Sequence, residues 1–242
     1  MTSLDLNHPE AVAPERIEAL TPESLVEQML RLEGKACITN SFQIEDMVVL
    51  HLLRQVDAAI PVLFLDTGYH FAETYAYRDR MAREWDLNLI SLAAPQSVAE
   101  QEAAFGVLNR TDPTRCCGLR KVEPLMRGLE GYDIWFTGLR REQSPTRKNL
   151  RKVEHHTLPT GKTLLKVSPL ADWDTKQVWN YIVRNGIEYL PLYDQGYPSI
   201  GCQPCTSIPS DPNNPRSGRW SGQKLECGIH TFTEKTSPQE SQ

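Results

Sequence analysis

The placement of the cysteines constrains this chain more than any other feature of its sequence. Four of the six form two tight pairs, Cys116-Cys117 and the Cys202-Gln203-Pro204-Cys205 motif, and a fifth, Cys227, stands alone near the C-terminus. If both pairs bind one soft metal centre, they tie the middle of the chain to its C-terminal part. The pairs therefore predict a metal site at the junction of two distant segments, with Cys227 free for chemistry.

Composition favours metal ligation over disulfides. The N-terminus lacks the pattern of a secretion signal and no apolar run has membrane-spanning length, so we predict a cytoplasmic protein without a membrane span. Disulfides are rare there. Four thiolates suit an iron–sulfur cluster, and a structural zinc ion is the alternative, although adjacent cysteines are awkward ligands for one small tetrahedral ion. Cys37 lies in an apolar run and is expected to be a buried, unligated thiol.

Short apolar runs alternate with stretches of helical length, which predicts an α/β fold with an open, mostly parallel sheet flanked by helices. A length of 242 residues allows one fairly large domain with a tail, and a net charge of −5 argues against a nucleic-acid partner. The predicted strands are residues 36–39, 61–65, 88–92, 134–137 and 164–167. The predicted helices are residues 22–32, 44–54, 71–85, 120–129 and 175–185, the last capped by Asp174 and ended by Gly186.

Three of the predicted strands are followed by polar loops. Residues 39–46 and 65–74 each run from a strand through a turn into a helix, where backbone N–H groups can hold an anion. Residues 137–147 place Arg140, Arg141 and Arg147 after the fourth strand. Helix capping and a solvated charged surface are the ordinary explanations of such loops, but together at neighbouring strand ends they favour a nucleotide pocket.

The ordered combination of these motifs, from about Lys35 to His230, resembles the assimilatory sulfonucleotide reductases. The motifs that carry the resemblance are the 65–74 turn, the 138–147 segment, both cysteine pairs, Arg216-Ser217-Gly218-Arg219-Trp220, and Glu226-Cys227-Gly228-Ile229-His230. Members with both cysteine pairs resemble adenylyl-sulfate (APS) reductases, whereas relatives that reduce phosphoadenylyl sulfate (PAPS) commonly lack them. One departure is Gln43, where many relatives carry glycine or serine.

The resemblance implies an adenine nucleotide alpha-hydrolase-like fold and one 4Fe-4S cluster held by Cys116, Cys117, Cys202 and Cys205. It also implies that Lys121 links cluster and substrate, whereas without it Lys121 would be a solvated helix residue. Ser41, Arg140 and Arg147 are candidate substrate ligands, and Arg216 and Arg219 are expected to meet the phosphosulfate.

The expected reaction begins with attack of the Cys227 thiolate on the sulfate sulfur of APS, which releases AMP and leaves an S-sulfocysteine. A reduced thioredoxin or glutaredoxin then releases sulfite. His230 is expected to assist or to pack, and the cluster to act electrostatically and structurally. This chemistry belongs to sulfate assimilation and cysteine biosynthesis.

The expected organisation has a flexible N-terminal arm (1–20), a nucleotide-binding reductase domain (21–205) and a mobile C-terminal segment (206–242) that carries Cys227. Only a dozen polar residues follow the last motif, so the reductant is expected to be a separate protein. A homo-oligomer is compatible with the resemblance.

Two alternatives stay open at this point. The first is PAPS reduction by the same chemistry. The second is a metal-bearing redox sensor or binding module with an idle pocket. An ATP-using sulfurylase subunit would be expected to show a pyrophosphatase loop and no cysteine quartet, and both features argue against it here.

Overall fold

A computed structural model describes residues 14–209, 211, 214–222, 224 and 226–230. Its centre is a six-stranded sheet in the order β3-β2-β1-β4-β6-β5, in which β5 alone runs antiparallel, against β6. The strands are β1 (Ala36–Thr39), β2 (Val62–Asp66), β3 (Leu89–Ala93), β4 (Ile134–Phe136), β5 (Val153–Thr157) and β6 (Thr163–Val167). The predicted α/β class is confirmed, and each predicted strand is present within two residues. Strand β5 is an addition at the edge.

Nine α-helices lie within the described residues. They are α1 (Pro14–Glu18), α2 (Pro22–Leu30), α3 (Ile44–Arg54), α4 (Ala72–Glu84), α5 (Val98–Phe105), α6 (Leu108–Thr111), α7 (Pro113–Cys117), α8 (Glu123–Leu129) and α9 (Thr175–Arg184). Asp174 caps α9, since its carboxylate accepts from the Gln177 N–H at 2.6 Å. Helices α1 and α5 to α7 were not predicted. No helix of the described part is long and apolar enough to cross a bilayer.

Apolar side chains cover both faces of the sheet. On one face Phe64 and Phe136 pack against helix residues such as Leu50, and on the other Trp135 packs with Leu125 of α8. Strands buried on both faces need apolar residues at successive positions, which explains why they were visible in the sequence. Cys37 of β1 is fully buried on the second face, as expected, and burial raises its pKa.

The strand order determines where a cavity forms at the edge of the sheet. The chain leaves β1 toward β2 on one side, whereas β4 pairs with β1 on the other. In an open parallel sheet such a reversal leaves a crevice at the carboxyl ends of the two central strands. The loops after β1 and β4 line a cavity of about 740 Å³ there.

The two ends of the chain fall only partly within the described residues. Residues 14–18 form α1, and Ile17 and Leu20 pack against the core. The rest of the expected N-terminal arm, and residues 231–242 of the expected C-terminal segment, lie outside the described part. The three predicted boundaries stay predictions.

Candidate active site

Asp46 organises the floor of the cavity by joining the loops after β1 and β4. Its carboxylate accepts from the Ser41 N–H at 2.8 Å, the Ser41 hydroxyl at 2.5 Å and the Gly138 N–H at 3.1 Å. Only glycine fits at 138, because a Cβ would collide with the Asp46 carboxylate. Burial raises the pKa of Asp46 to about 6, although these hydrogen bonds oppose the shift.

Gln43 connects this floor to the loop that leads to the second cysteine pair. Its side-chain N–H donates to the Ser41 hydroxyl oxygen at 3.0 Å, and its carbonyl oxygen accepts from the Ile200 N–H at 2.9 Å. The long amide, which replaces the glycine or serine expected from the family pattern, therefore bridges two loops.

Arg140 lines the cavity but its guanidinium is occupied by protein partners. It is 4% exposed and pairs with Glu45 at 2.8 Å and Glu142 at 2.6 Å, and it also donates to the Thr175 hydroxyl at 3.1 Å and the Trp173 carbonyl at 3.2 Å. In this arrangement Arg140 joins the β4 loop to α3 and to the start of α9.

The four paired cysteines meet around one small cavity next to the main one. Cys116 and Cys117 end α7, whereas Cys202 precedes a 3₁₀ turn that ends at Cys205. The loop after β2 holds the second pair in place, since the Cys202 thiol donates to the Thr67 hydroxyl at 3.3 Å and the Gln203 N–H to the Tyr69 carbonyl at 2.7 Å. The fold therefore brings together two pairs from distant parts of the chain.

Four cysteine thiols around one small cavity are a donor set that fits an iron–sulfur cluster. Within the described residues no group of three His, Cys, Asp or Glu side chains is arranged to hold one metal ion. Burial and the neighbouring thiols raise the pKa of Cys116 to about 11, so gathering thiolates here calls for positive charge.

Lys121 lines both cavities and supplies such a charge. Burial alone would lower its pKa, but the neighbouring Cys202, Cys227 and Cys117 outweigh burial and raise it. Lys121 reaches this position from a π-helical turn (Gly118–Val122), in which the Glu123 N–H donates to the Gly118 carbonyl five residues back. A wider turn at this point joins α7 to α8.

Arg219 and Arg216 form the C-terminal wall of the cavity. Arg219 is 5% exposed, stacks on Trp220 at 4.6 Å and donates to the Cys205 carbonyl at 3.4 Å. Its guanidinium passes over Gly201, where a Cβ would collide with it. Arg216 lies 3.8 Å from Glu226 through its Nη2 atom.

Cys227 lies in the same wall, half-buried and lining the main cavity. Three residues later, the His230 ring stacks on Trp135 of β4 with 5.7 Å between ring centroids and 17° between planes. Burial, with Lys166 and Arg147 nearby, lowers the pKa of His230 well below its usual value, so the imidazole is neutral. Its Nδ1 atom has no hydrogen-bond partner among the residues that the structure describes.

All eight predicted catalytic and substrate-binding residues line one cavity. They are Ser41, Lys121, Arg140, Arg147, Arg216, Arg219, Cys227 and His230. Sequence reasoning missed the contributions of Asp46, Glu226 and Trp135. Asp46 stands in the first turn of a helix after a strand, and Glu226 adjoins the cysteine, so position alone offered a weak signal for both.

Residues 35–208 match the family model described as "Phosphoadenosine phosphosulfate reductase domain". An adenosine 5'-phosphosulfate reductase of Rhodococcus erythropolis is 48% identical over 188 residues, covering 77% of this chain and 75% of the relative. A phosphoadenosine 5'-phosphosulfate reductase of Gloeobacter violaceus is 43% identical over 219 residues, covering 88% and 90%. These relatives carry the names of two different substrates.

The solved structure of the phosphoadenylyl-sulfate (PAPS) reductase of Candida auris, a phosphate complex, has a TM-score of 0.69 and 26% identity, with 84% of this chain and 97% of that one covered. The FMN adenylyltransferase of Candida glabrata, at a TM-score of 0.58 and 16% identity, covers 81% of this chain and 66% of its own and shares the fold alone. These likenesses bear out the expected adenine nucleotide alpha-hydrolase-like fold. The family match covers well over half of the chain, which therefore belongs to the sulfonucleotide reductases.

Proposed function

We propose that this protein reduces adenosine 5'-phosphosulfate to sulfite and AMP, with Cys227 as the nucleophile. One observation carries the proposal: Cys227 shares a single cavity with Lys121, Arg216 and Arg219 beside the nucleotide-type loops of a parallel sheet. The relatives named adenosine 5'-phosphosulfate reductase support the choice of substrate. Sulfate assimilation, leading to cysteine biosynthesis, is the process in which the reaction takes part.

The first step follows from charge. The phosphosulfate group is anionic, and three cations, Lys121, Arg216 and Arg219, line the cavity. They would bind its oxygens and stabilise the charge that develops on the leaving phosphate. The Cys227 thiolate attacks the sulfate sulfur. The bond from that sulfur to the bridging oxygen breaks, AMP leaves with the electron pair, and Cys227 carries a sulfonate.

The second step needs two electrons from outside the chain. A thiolate of reduced thioredoxin or glutaredoxin attacks the Cys227 sulfur, sulfite leaves with the bonding pair, and a mixed disulfide forms. The partner's second thiol then resolves this disulfide and restores the Cys227 thiol. Such a partner and free thiols in the enzyme suit a cytoplasmic location.

Cys116, Cys117, Cys202 and Cys205 would hold one 4Fe-4S cluster. When bound, the cluster supplies a structural tie between two distant segments and a local electrostatic field. Lys121 lines both cavities, and its ammonium would act on the cysteine sulfurs and on the substrate. Ser41 and Arg147 help to place the nucleotide, Arg140 braces the loop, and His230 anchors the segment around Cys227. The proposal includes assembly of the chain into a homo-oligomer.

Intact-protein mass spectrometry after brief exposure of the anaerobic, reduced protein to APS or to PAPS tests this function. We expect a sulfonate adduct from APS that is absent in Cys227→Ser and retained in Cys37→Ala, whose thiol is buried in β1. Labelling by PAPS alone would reverse the substrate in favour of PAPS reduction. No adduct from either nucleotide in protein with a full metal complement would favour the binding-module alternative.

A further inference from the structure

Glu226 is a carboxylate that lies next to Cys227 and between two arginines that line the cavity, Arg147 and Arg216. Its carboxylate accepts from Arg147 twice, at 3.0 Å from Nε and 2.7 Å from Nη2, and from the Thr146 hydroxyl at 3.0 Å. Arg216 approaches the same carboxylate within 3.8 Å. A paired, two-point contact of this kind fixes both the distance and the orientation of the two side chains.

The pairing is poorly exposed to water. Glu226 and Arg147 have side chains that are each 11% exposed, and Arg216 is 19% exposed. Charge pairs removed from water interact strongly, and removing one member is costly. Here Arg147 and Arg216 would repel each other without the carboxylate between them. Burial alone would raise the pKa of Glu226, but Arg147 outweighs it and lowers the pKa, so the carboxylate stays ionised.

Because Glu226 is adjacent to Cys227 in the chain, its ion pair with Arg147 also restrains the cysteine. Glu226 directly precedes Cys227, and adjacent Cα atoms are about 3.8 Å apart. On the other side of Cys227, His230 stacks on Trp135 of the central strand β4. The cysteine is therefore held between two anchors, an ionic one on the loop after β4 and an aromatic one on the strand itself.

We propose that Glu226 is a positioning residue, whose contact with Arg147 seats the Cys227 sulfur in the cavity for attack. This inference rests on the proposed function. It assigns a second task to Arg147, which holds the nucleophile's segment as well as facing the nucleotide. Glu226 acts only through the position of Cys227.

The test compares Glu226→Gln, Glu226→Asp and, as a matched control, Glu188→Gln. The control removes an exposed carboxylate that pairs with Arg80, and neither residue lines the cavity. Two quantities are measured. The first is the single-turnover rate of Cys227 sulfonate formation over a range of APS concentrations. The second is hydrogen exchange of the peptide covering residues 224–230 without substrate. Melting temperature and iron content report whether each variant folds and loads normally.

We expect Glu226→Gln to slow sulfonate formation at saturating APS by at least about tenfold, because a charged hydrogen-bonded pair is lost. The same variant should speed exchange in the 224–230 peptide. The order of the two substitutions separates charge from shape: Asp keeps the charge and Gln keeps the shape, so a positioning ion pair predicts that Asp is the milder change. The Glu188→Gln control should match the parent.

Unchanged rates and exchange in Glu226→Gln would overturn the inference, as would a Glu226→Asp variant that is slower than Glu226→Gln. If the parent forms no sulfonate adduct with APS or PAPS, the proposed function fails. The exchange measurement still decides whether Glu226 holds the segment, so the two failures are distinguishable.

Discussion

The floor and the C-terminal wall of the cavity are built on different principles. The floor belongs to loops that follow sheet strands, and its charged groups, such as Asp46 and Arg140, are satisfied by hydrogen bonds within the protein. The wall around Cys227 gathers cations beside thiols, with Arg219 in the C-terminal segment and Lys121 on the π-helical turn. The charges of the floor are paired with partners in the fold, whereas the wall concentrates positive charges around Cys227.

This difference predicts which property a substitution in each region should change. Substitutions in the wall should reduce sulfonate formation or metal content, and they should leave the protein folded. Changes to the floor should cost stability and substrate affinity together. Four substitutions, from the largest expected effect to the smallest, test that division.

Cys202→Ser should have the largest effect. We expect the variant to bind less than a full cluster and to lose sulfonate formation to background, because Lys121 and Arg219 then lack the anionic centre that they surround. Iron and sulfide analysis with mass spectrometry checks both results. Cys37→Ala is the control and should keep its iron. Stoichiometric zinc instead of iron in the parent protein would contradict the cluster assignment.

Arg219→Ala should slow sulfonate formation by about a hundredfold, the usual loss when one preorganised donor to developing charge is removed. Single-turnover kinetics measures the change, and the melting temperature should move little if the wall contributes chemistry rather than stability. Arg80→Ala, which removes an exposed arginine, is the control. A large drop in melting temperature without a slower sulfonate formation would contradict the assignment of the wall to the reaction and of the floor to stability.

Asp46→Asn should affect stability and affinity together. Because burial raises the pKa of Asp46 to about 6, the folded protein binds this proton more tightly than the unfolded chain does. The stability that Asp46 contributes is therefore present at low pH and is lost as the pH rises through about 6. Relative to the Asn variant, the parent's free energy of unfolding should fall by about 1 kcal/mol between about pH 5 and pH 7.5.

The same variant should raise the KM for APS by about tenfold, because the amide has a single acceptor oxygen and cannot accept from both Ser41 and Gly138. Urea unfolding at several pH values and steady-state kinetics measure the two effects. A difference in stability that does not change with pH would show that Asp46 does not titrate in this range.

Gln43→Gly should have the smallest effect. It restores a residue common in the family and removes the bridge between Ser41 and Ile200, so we expect KM to rise by about fivefold with iron content unchanged. Kinetics and iron analysis check this result. If iron were lost instead, the bridge would serve the cysteine loop rather than the floor.

The parts of the structure that are determined by local sequence could be predicted. Strands β1 to β4 and β6 were predicted because burial on two faces requires apolar runs. Strand β5 was not, because Val153–Thr157 is an edge strand with two histidines and a glutamate. The cysteines and cations of the wall were found from residue type and order.

Side-chain contacts between residues far apart in the sequence could not be predicted. Asp46 and Gly138 are 92 positions apart, and Arg147 and Glu226 are 79 apart, so nothing local indicates either contact. Arg140 illustrates the same limit: its charge suggested a ligand, whereas its ion pair with Glu45 joins residues 95 positions apart. Its role toward substrate stays a prediction.

The π-helical turn over Gly118–Val122 makes the length of this stretch as important as its composition. Such a turn holds one residue more than the α-helical turn that it replaces, so it acts as a built-in insertion within a continuous helix. Deleting one of its residues would close the wide turn to α-helical geometry, so that α7 and α8 keep nearly the same relative orientation. Helix α8 could keep its packing on the sheet, but the residues of the turn, Lys121 among them, would no longer face the two cavities. The stretch should therefore accept substitutions far more readily than deletions.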